Sequence, residues 1–141
     1  MDHLKGLFSV VGRLFLVTIF LMSAAGNKIP NFSGVVGYME NAGVPFPQVA
    51  LALAIGFLLV GGVLVLVGYY ARLGAALLAV FLVLATYYFH PFWKLEGQAA
   101  QAEMIQAMKN LSMLGAMLFV VANGSGAWSL DNRSPSFQPG A

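Results

Sequence analysis

The sequence contains no cysteine and few charged residues, and these two shortages exclude several kinds of function. Without cysteine the chain cannot form a disulfide, a thiol nucleophile or a cysteine-ligated zinc or iron–sulfur site. Only 9% of the residues are charged and the net charge is +2, so no basic surface for nucleic acid is expected. The two histidines, His3 and His90, are poorly placed for a bis-histidine haem, and neither haem nor a metal is predicted.

Apolar residues are abundant and make up 60% of the 141 residues. So short a chain cannot bury this much apolar surface in a single soluble core, so the lipid bilayer must be its solvent. Four stretches have close to the length that a helix needs to cross the bilayer, which is about 20 residues. They lie at about residues 7–25, 49–69, 72–89 and 104–122. Because lipid offers the backbone no hydrogen-bond partners, we predict an all-α integral membrane four-helix bundle, with residues 1–141 forming a single domain.

Two segments outside these stretches are expected at the membrane surface. Gly26, Asn27 and Pro30 predict that the first helix stops there. Residues 31–48 then carry apolar side chains at helical spacing, which predicts an amphipathic or re-entrant segment that covers a pocket. Residues 124–141 are rich in Gly, Ser, Pro and Asn, and they predict a polar, loosely ordered tail.

The only internal histidine, His90, stands where the third apolar stretch ends among aromatic residues. A histidine exchanges a proton near neutral pH, which a quinone site or another proton-coupled membrane site requires. A structural hydrogen bond is the alternative role for this side chain. The neighbouring rings fit an aromatic belt at the depth of the lipid headgroups, which is sufficient to explain them all. These rings are Tyr87, Tyr88, Phe92 and Trp93.

Polar residues inside the apolar stretches also indicate a site. Glu103, Gln106 and Asn110 follow steps of three and four residues, so they share one face of the fourth helix, with Lys109 beside them. Ionisable groups at this depth usually face a cavity, so Lys109 and Asn110 either line a site or anchor the helix at the interface. Arg13 lies near one end of the first stretch, where it either extends to the headgroups or serves a site.

The small residues of the second and third helices, such as Gly61, Gly62 and Ala75, allow close helix packing. They serve either packing within the bundle or a contact between copies of the chain. The short connection at residues 68–72 predicts a tight antiparallel hairpin.

The basic residues favour an orientation with both termini in the cytoplasm, because positive charge accumulates on that side of a membrane. Four basic residues fall on the side of the termini and three on the other side. The first group is Lys5, Arg13, Arg72 and Arg133, and the second is Lys28, Lys94 and Lys109. This orientation places Lys28, Tyr38, His90 and Lys109 together near the outer face of the membrane.

Taken in order, the motifs of this chain resemble the DoxX family, a bacterial and archaeal group of four-helix membrane proteins. The motifs are Gly12-Arg13, residues 23–28, Tyr38, Gly43-Val44-Pro45, Gly61-Gly62, Arg72, residues 89–93, Lys109-Asn110-Leu111 and Gly115. One departure is Leu58, because many members carry a glutamate three residues before the paired glycines. A proton-handling role that depends on that carboxylate is therefore not expected here.

The resemblance implies a multi-pass protein of a bacterial or archaeal inner (cytoplasmic) membrane that is a subunit of a redox complex and interacts with quinone near the outer face. It implies His90 and Lys109 as catalytic residues, with His90 as the proton partner of a quinone carbonyl. Because a reduced quinone carries negative charge, it needs a fixed cation and a proton donor nearby. The implied quinone-binding residues are Arg13, Lys28, Tyr38, His90, Trp93, Lys109 and Asn110.

The implied partners are the lipid bilayer, other membrane or redox subunits, and further copies of the same chain. The alternative function is a non-catalytic accessory subunit that packs onto a larger membrane complex and stabilises it.

Overall fold

The computed structural model describes residues 1–133, and that part of the chain is helical apart from short connections. Four of its helices are long and apolar enough to cross a membrane, which confirms the predicted all-α membrane bundle. The helices are α1 (Asp2–Ser23, continued by a π-helical turn, Ala24–Lys28), α2 (Phe32–Asn41), α3 (Pro47–Val67), α4 (Ala71–Phe89) and α5 (Gly97–Asn123). Two single 3-10 turns follow α4 and α5, at Phe92–Lys94 and Asp131–Arg133.

The four long helices alternate in direction, so both ends of the described chain lie at one end of the bundle with the α3–α4 turn. We call this the termini end. The short helix α2 and the α4–α5 connection lie at the opposite end, which we call the cavity end. Helix α3 packs against α1 and α4, and α4 also packs against α5, whereas α1 and α5 make few close backbone contacts.

One apolar core lies between the spanning helices and draws side chains from all four of them. Val17, Leu58, Leu78 and Met117 come from α1, α3, α4 and α5, and each is fully buried in this core. Large apolar side chains such as Phe15 cover the outside of the bundle and are exposed. Because lipid solvates such side chains, the outward apolar surface agrees with a membrane-embedded protein.

Glycines let α3 and α4 approach each other closely. A Cβ added at Gly61 would lie 2.8 Å from the carbonyl oxygen of Gly74, and one added at Gly74 would lie 2.8 Å from that of Gly61. Gly62 faces Leu21 of α1 in the same way, and Ala75 is fully buried. The small residues therefore serve packing inside this bundle, the first of the two roles that the sequence allowed.

One predicted helix boundary is confirmed and one needs correction. The stop predicted from Gly26, Asn27 and Pro30 is confirmed, because the α-helix ends at Ser23 and a π-helical turn, in which Ile29 N donates to the carbonyl of Ala24 (3.0 Å), continues the chain only to Lys28. The wider turn keeps the backbone hydrogen-bonded as the chain leaves the lipid. Helix α5 begins at Gly97 rather than near residue 104, because its first turns contain Ala, Gln and Glu, which favour helix without being apolar.

The prediction of a loosely ordered tail is wrong for residues 124–133, which fold back over the termini end. The carboxylate of Asp131 accepts hydrogen bonds from the backbone N–H groups of Tyr70 (2.8 Å) and Ala71 (3.1 Å). It thereby caps the start of α4, where the first N–H groups have no partner within the helix. The rest of the predicted tail, residues 134–141, lies outside the described residues.

Arg13 joins the first helix to this same C-terminal segment. Its side chain is buried, and Nη2 donates to the carbonyl oxygen of Trp128 (3.0 Å). The indole of Trp128 packs against Gly6, where a Cβ would overlap the ring. Gly68 borders the guanidinium, has a positive φ of 67°, and leaves no space for a side chain. Arg13 therefore lies level with the α3–α4 turn and is bound there by the protein.

Candidate functional site

A cavity of about 310 Å³ lies at the cavity end, between α1, α3, α4 and α5 and beneath α2. Its inner wall consists of buried apolar side chains, including Phe20, Leu51 and Leu82. Exposed side chains, Ile19 and Tyr38, also line it, so the cavity is open at its edge. Its polar lining residues are Ser23, Asn27, Lys28, Tyr38, His90 and Asn110. The predicted amphipathic segment thus forms α2, which covers a cavity as expected.

Lys28 reaches the cavity from the π-helical turn at the end of α1. A π turn contains more residues than an α turn, so it changes the face on which the following side chains lie, and such turns are frequent at functional sites. The Lys28 ammonium donates a hydrogen bond to Ser23 Oγ and lies 5.6 Å from the centre of the Phe81 ring. This places one cation beside an otherwise apolar cavity wall.

His90 is the residue at which α4 ends, and Pro91 after it prevents the helix from continuing. Its Nδ1 lies 2.7 Å from Oε2 of Glu103 in α5. A carboxylate at one ring nitrogen fixes the orientation of the imidazole and leaves Nε2 as the nitrogen that can contact a ligand. The pair remains partly accessible to water, since 26% of the His90 side chain and 35% of the Glu103 side chain are exposed.

Asn110 approaches the cavity from α5 and is held by α4. Its Nδ2 donates to Thr86 Oγ1 (3.0 Å), and that hydroxyl donates to the carbonyl of Leu82 (2.7 Å). Thr86 lies one helical turn before His90, which is about 6 Å deeper in the bundle. Polar groups thus line the cavity from the membrane surface inward by roughly one turn.

An aromatic pair borders the cavity under α2. The rings of Tyr38 and Phe89 are stacked, with centres 5.2 Å apart and planes inclined by 18°. Trp93, which the resemblance implied as another quinone-binding residue, lies elsewhere. It is exposed and contacts Tyr87 and Phe92, at 6.1 Å and 5.2 Å between ring centres. Trp93 therefore belongs to the aromatic belt, and Phe89 takes the place expected for it at the cavity.

The structure does not bring the other two predicted cations to the cavity. Lys109 precedes Asn110 on α5, is rotated by about 100° around the helix axis, and is exposed. Arg13 lies on α1 at the termini end, about 22 Å from Lys28 along the helix axis at 1.5 Å per residue. Lys28, Tyr38, His90 and Asn110 thus come together, whereas Arg13, Trp93 and Lys109 do not join them.

Sequence reasoning did not identify every residue of the site. Glu103 was predicted to share a helix face with Asn110, but its contact with His90 was not predicted. Ser23, in the last turn of α1, and Asn27, in the π-helical turn, also line the cavity, and sequence reasoning did not single them out. Phe89 lies in a run of aromatic residues, and nothing in the sequence indicates which of them lines the cavity.

The lining residues fit a small aromatic ligand that accepts hydrogen bonds. The cavity volume is at the lower end of the range of about 300–1,000 Å³ found for ligand sites. Among the described residues that line it there is no Asp or Glu, while Lys28, His90 and Asn110 carry N–H groups. A quinone ring matches this set, because it is flat and apolar and its polar groups are carbonyl acceptors.

A family model for DoxX matches residues 8–91 of the chain. The chain belongs to the DoxX family. It is similar to two proteins of Escherichia coli (strain K12). Inner membrane protein YphA is 34% identical over 125 residues, which cover 88% of each chain. Inner membrane protein YqjF is 30% identical over 131 residues, which cover 93% of this chain and 95% of that protein. No solved structure matches the chain significantly.

The DoxX match begins within α1, includes α2, α3 and α4 and ends just after His90, so it covers most of the cavity lining but not the α5 residues. Leu58, the position at which the family resemblance predicts a glutamate, is fully buried in the apolar core. No carboxylate therefore stands at this point of α3 in this DoxX protein.

Proposed function

We propose that this DoxX-family protein binds a quinone in the cavity, as a membrane subunit of a redox complex. The observation that carries the proposal is the combination of one ammonium and one carboxylate-backed imidazole at the mouth of a largely apolar cavity. A quinone needs such an arrangement, because its ring favours apolar walls and its carbonyl oxygens gain negative charge on reduction. A bound quinone would supply the capacity to accept electrons together with protons.

Different residues of the chain would contact different parts of such a ligand. The Lys28 ammonium has further N–H groups beyond the one donated to Ser23, and it can donate to a carbonyl oxygen and offset negative charge there. The stacked rings of Tyr38 and Phe89 offer a flat wall to an aromatic ligand. Phe20 and Leu82 exclude water from the inner end, and Leu51 does so beneath α2.

His90 and Glu103 are suited to moving a proton at the cavity mouth. Glu103 holds Nδ1 of the ring, so Nε2 can give a proton to a ligand oxygen or take one from it. Both side chains are partly exposed, so they can exchange protons with water while the cavity below remains apolar. Partly exposed ionisable groups above an apolar cavity support proton transfer between the aqueous phase and a ligand in the cavity.

We place the protein in a bacterial inner membrane with the cavity at the outer face. Both relatives named above are inner membrane proteins of Escherichia coli. The described basic residues are more numerous at the termini end, which supports cytoplasmic termini. A quinone would then enter from the bilayer and meet the proton-exchanging pair at the outer surface.

A purely structural role receives less support from the packing. That alternative required the Gly and Ala faces of α3 and α4 to be available for another subunit. Gly61 instead contacts Gly74, and Ala75 is fully buried, so these residues are occupied within the bundle.

Binding of a methoxy-substituted benzoquinone that has no side chain tests the proposal, with the protein in lipid nanodiscs and free ligand measured by equilibrium dialysis. The chain has no cysteine, so the quinone cannot be consumed by a thiol. Lys28→Met should weaken binding about tenfold or more, because a hydrogen bond from a charged donor contributes about 1.5–3 kcal/mol. Lys109→Met is the matched control and should leave binding unchanged. Absence of binding to the wild type, or equal losses in the two variants, would contradict the proposal.

A further inference from the structure

An apolar groove of about 360 Å³ lies next to the cavity, on the outer side of α3 and α4. The α2–α3 connection borders it through Val44 and Pro45. The helices contribute Ala50 and Leu53 from α3 and Val80, Leu84 and Tyr88 from α4. None of the described residues that line this groove is charged. We call it the apolar groove.

The apolar groove and the cavity share part of their walls. The same five residues line both spaces: Met39, Ala54, Phe81, Ala85 and Phe89. Ala54 of α3 and Ala85 of α4 are the small members of this shared wall, and Met39, Phe81 and Phe89 are its large members. The polar lining is confined to one space, with Lys28, His90 and Asn110 in the cavity, while the adjoining space is almost wholly apolar.

We propose that the apolar groove receives the hydrocarbon side chain of the same quinone whose ring occupies the cavity. This inference rests on the proposed function and adds the class of quinone, one that carries a long apolar chain. A molecule lying in the groove must place its polar end elsewhere, because the groove offers no charged residue. The adjoining polar groups are those of the cavity, and the side chain would pass between the two spaces at Ala54 and Ala85, the smallest residues of the shared wall.

The inference predicts that the side chain contributes to affinity in the wild type. The ring-only benzoquinone and its decyl derivative would be titrated in nanodiscs, with affinities expressed per mole fraction of ligand in the bilayer. We expect the decyl quinone to bind about fivefold more tightly. The gain is modest because the bilayer already shields the chain from water, so packing alone contributes.

Filling the apolar groove should remove the extra affinity for the decyl quinone without changing the affinity for the ring-only quinone. Val80→Trp places an indole in the groove, whereas Val83→Trp places one on another face of α4, and the two valines are similarly exposed, at 48% and 53%. Val80→Trp should reduce the affinity for the decyl quinone to that for the ring and leave ring binding unchanged. Val83→Trp should change neither. Leu84→Trp repeats the test from the same groove if Val80→Trp does not fold.

The outcomes separate the two proposals. Equal affinities of ring and decyl quinone in the wild type, or equal effects of Val80→Trp and Val83→Trp, would overturn the groove inference and leave ring binding in place. Failure of the ring-only quinone to bind the wild type would overturn the proposed function, and the groove inference with it. Tighter binding of the decyl quinone that only Val80→Trp abolishes supports both.

Discussion

His90 Nδ1 and Glu103 Oε2 lie 2.7 Å apart and connect the end of α4 to the first turns of α5 at the mouth of the cavity. The two residues flank a segment that contains Pro91, an aromatic 3-10 turn and Gly97. Their contact therefore does two things at once. It fixes how the connection between the two helices folds, and it fixes the orientation of the imidazole beside Lys28, Asn110 and the apolar lining of the cavity.

Glu103 should act as a positioning residue for His90. Glu103→Ala removes the acceptor from Nδ1, so we expect quinone affinity to fall about fivefold or more as the ring loses its fixed orientation. Glu103→Gln should restore most of the affinity, because its amide oxygen can accept the same hydrogen bond. Equilibrium dialysis of the ring-only quinone measures both, and Gln106→Ala on exposed surface of the same helix is the control. An equal loss in the Ala and Gln variants would contradict the positioning role.

Close packing of α3 on α4 should make Gly61 intolerant of a side chain. Gly61→Ala forces the new Cβ to within 2.8 Å of the Gly74 carbonyl, so we expect a destabilisation of about 1–3 kcal/mol. Gly56→Ala on the same helix is the control, because a Cβ there meets nothing within 4 Å. It should be neutral or slightly stabilising, since alanine favours helix. Reversible unfolding in mixed detergent micelles measures the difference, and equal stabilities of the two variants would refute the packing account.

Arg13 should hold the C-terminal segment on the termini end of the bundle. Arg13→Gln removes the charged donor from the Trp128 carbonyl, so the amide N–H of Asp131, which donates to the carbonyl of Gly68 (2.7 Å), should exchange about tenfold faster. Hydrogen–deuterium exchange with peptide mapping of this segment measures the effect. Arg72→Gln, at an exposed arginine of the same end, is the control. Unchanged exchange in Arg13→Gln would show that the segment is held by other contacts.

The architecture could be predicted from sequence because the solvent determines it. A bilayer demands helices of a certain length, and the apolar runs have that length. Alternating helix directions then place Lys28, Tyr38 and His90 at one end whatever the details of packing. The predicted convergence of these three residues therefore needed only the topology, whereas the place of Asn110 depends on how α5 is rotated about its axis.

The rotation of each helix about its axis could not be predicted in the same way. Lys109 and Asn110 are adjacent in sequence, and nothing local decides which of them faces the cavity. The structure decides it through the hydrogen bond of Asn110 to Thr86, a residue of another helix. The π-helical turn that directs Lys28 is similarly invisible in the sequence, since it depends on how α1 leaves the bundle.

Long-range capping was also beyond sequence reasoning. Residues 124–133 are rich in turn-forming residues, and composition alone predicts a loose tail for them. Their order comes from partners far away in the chain, since Asp131 caps α4 and Trp128 binds Arg13. Such contacts are formed only after the helices have assembled.

Photolabelling with an azido-substituted benzoquinone tests the central claim, that the cavity is the quinone site, most directly. The protein in nanodiscs would be labelled with and without excess unlabelled quinone, and the labelled residues identified by mass spectrometry. We predict competable labels on cavity-lining residues, chiefly Tyr38, Phe89 and Met113. Labels confined to lipid-facing residues such as Phe15 and Phe119, or unaffected by the competitor, would contradict the claim.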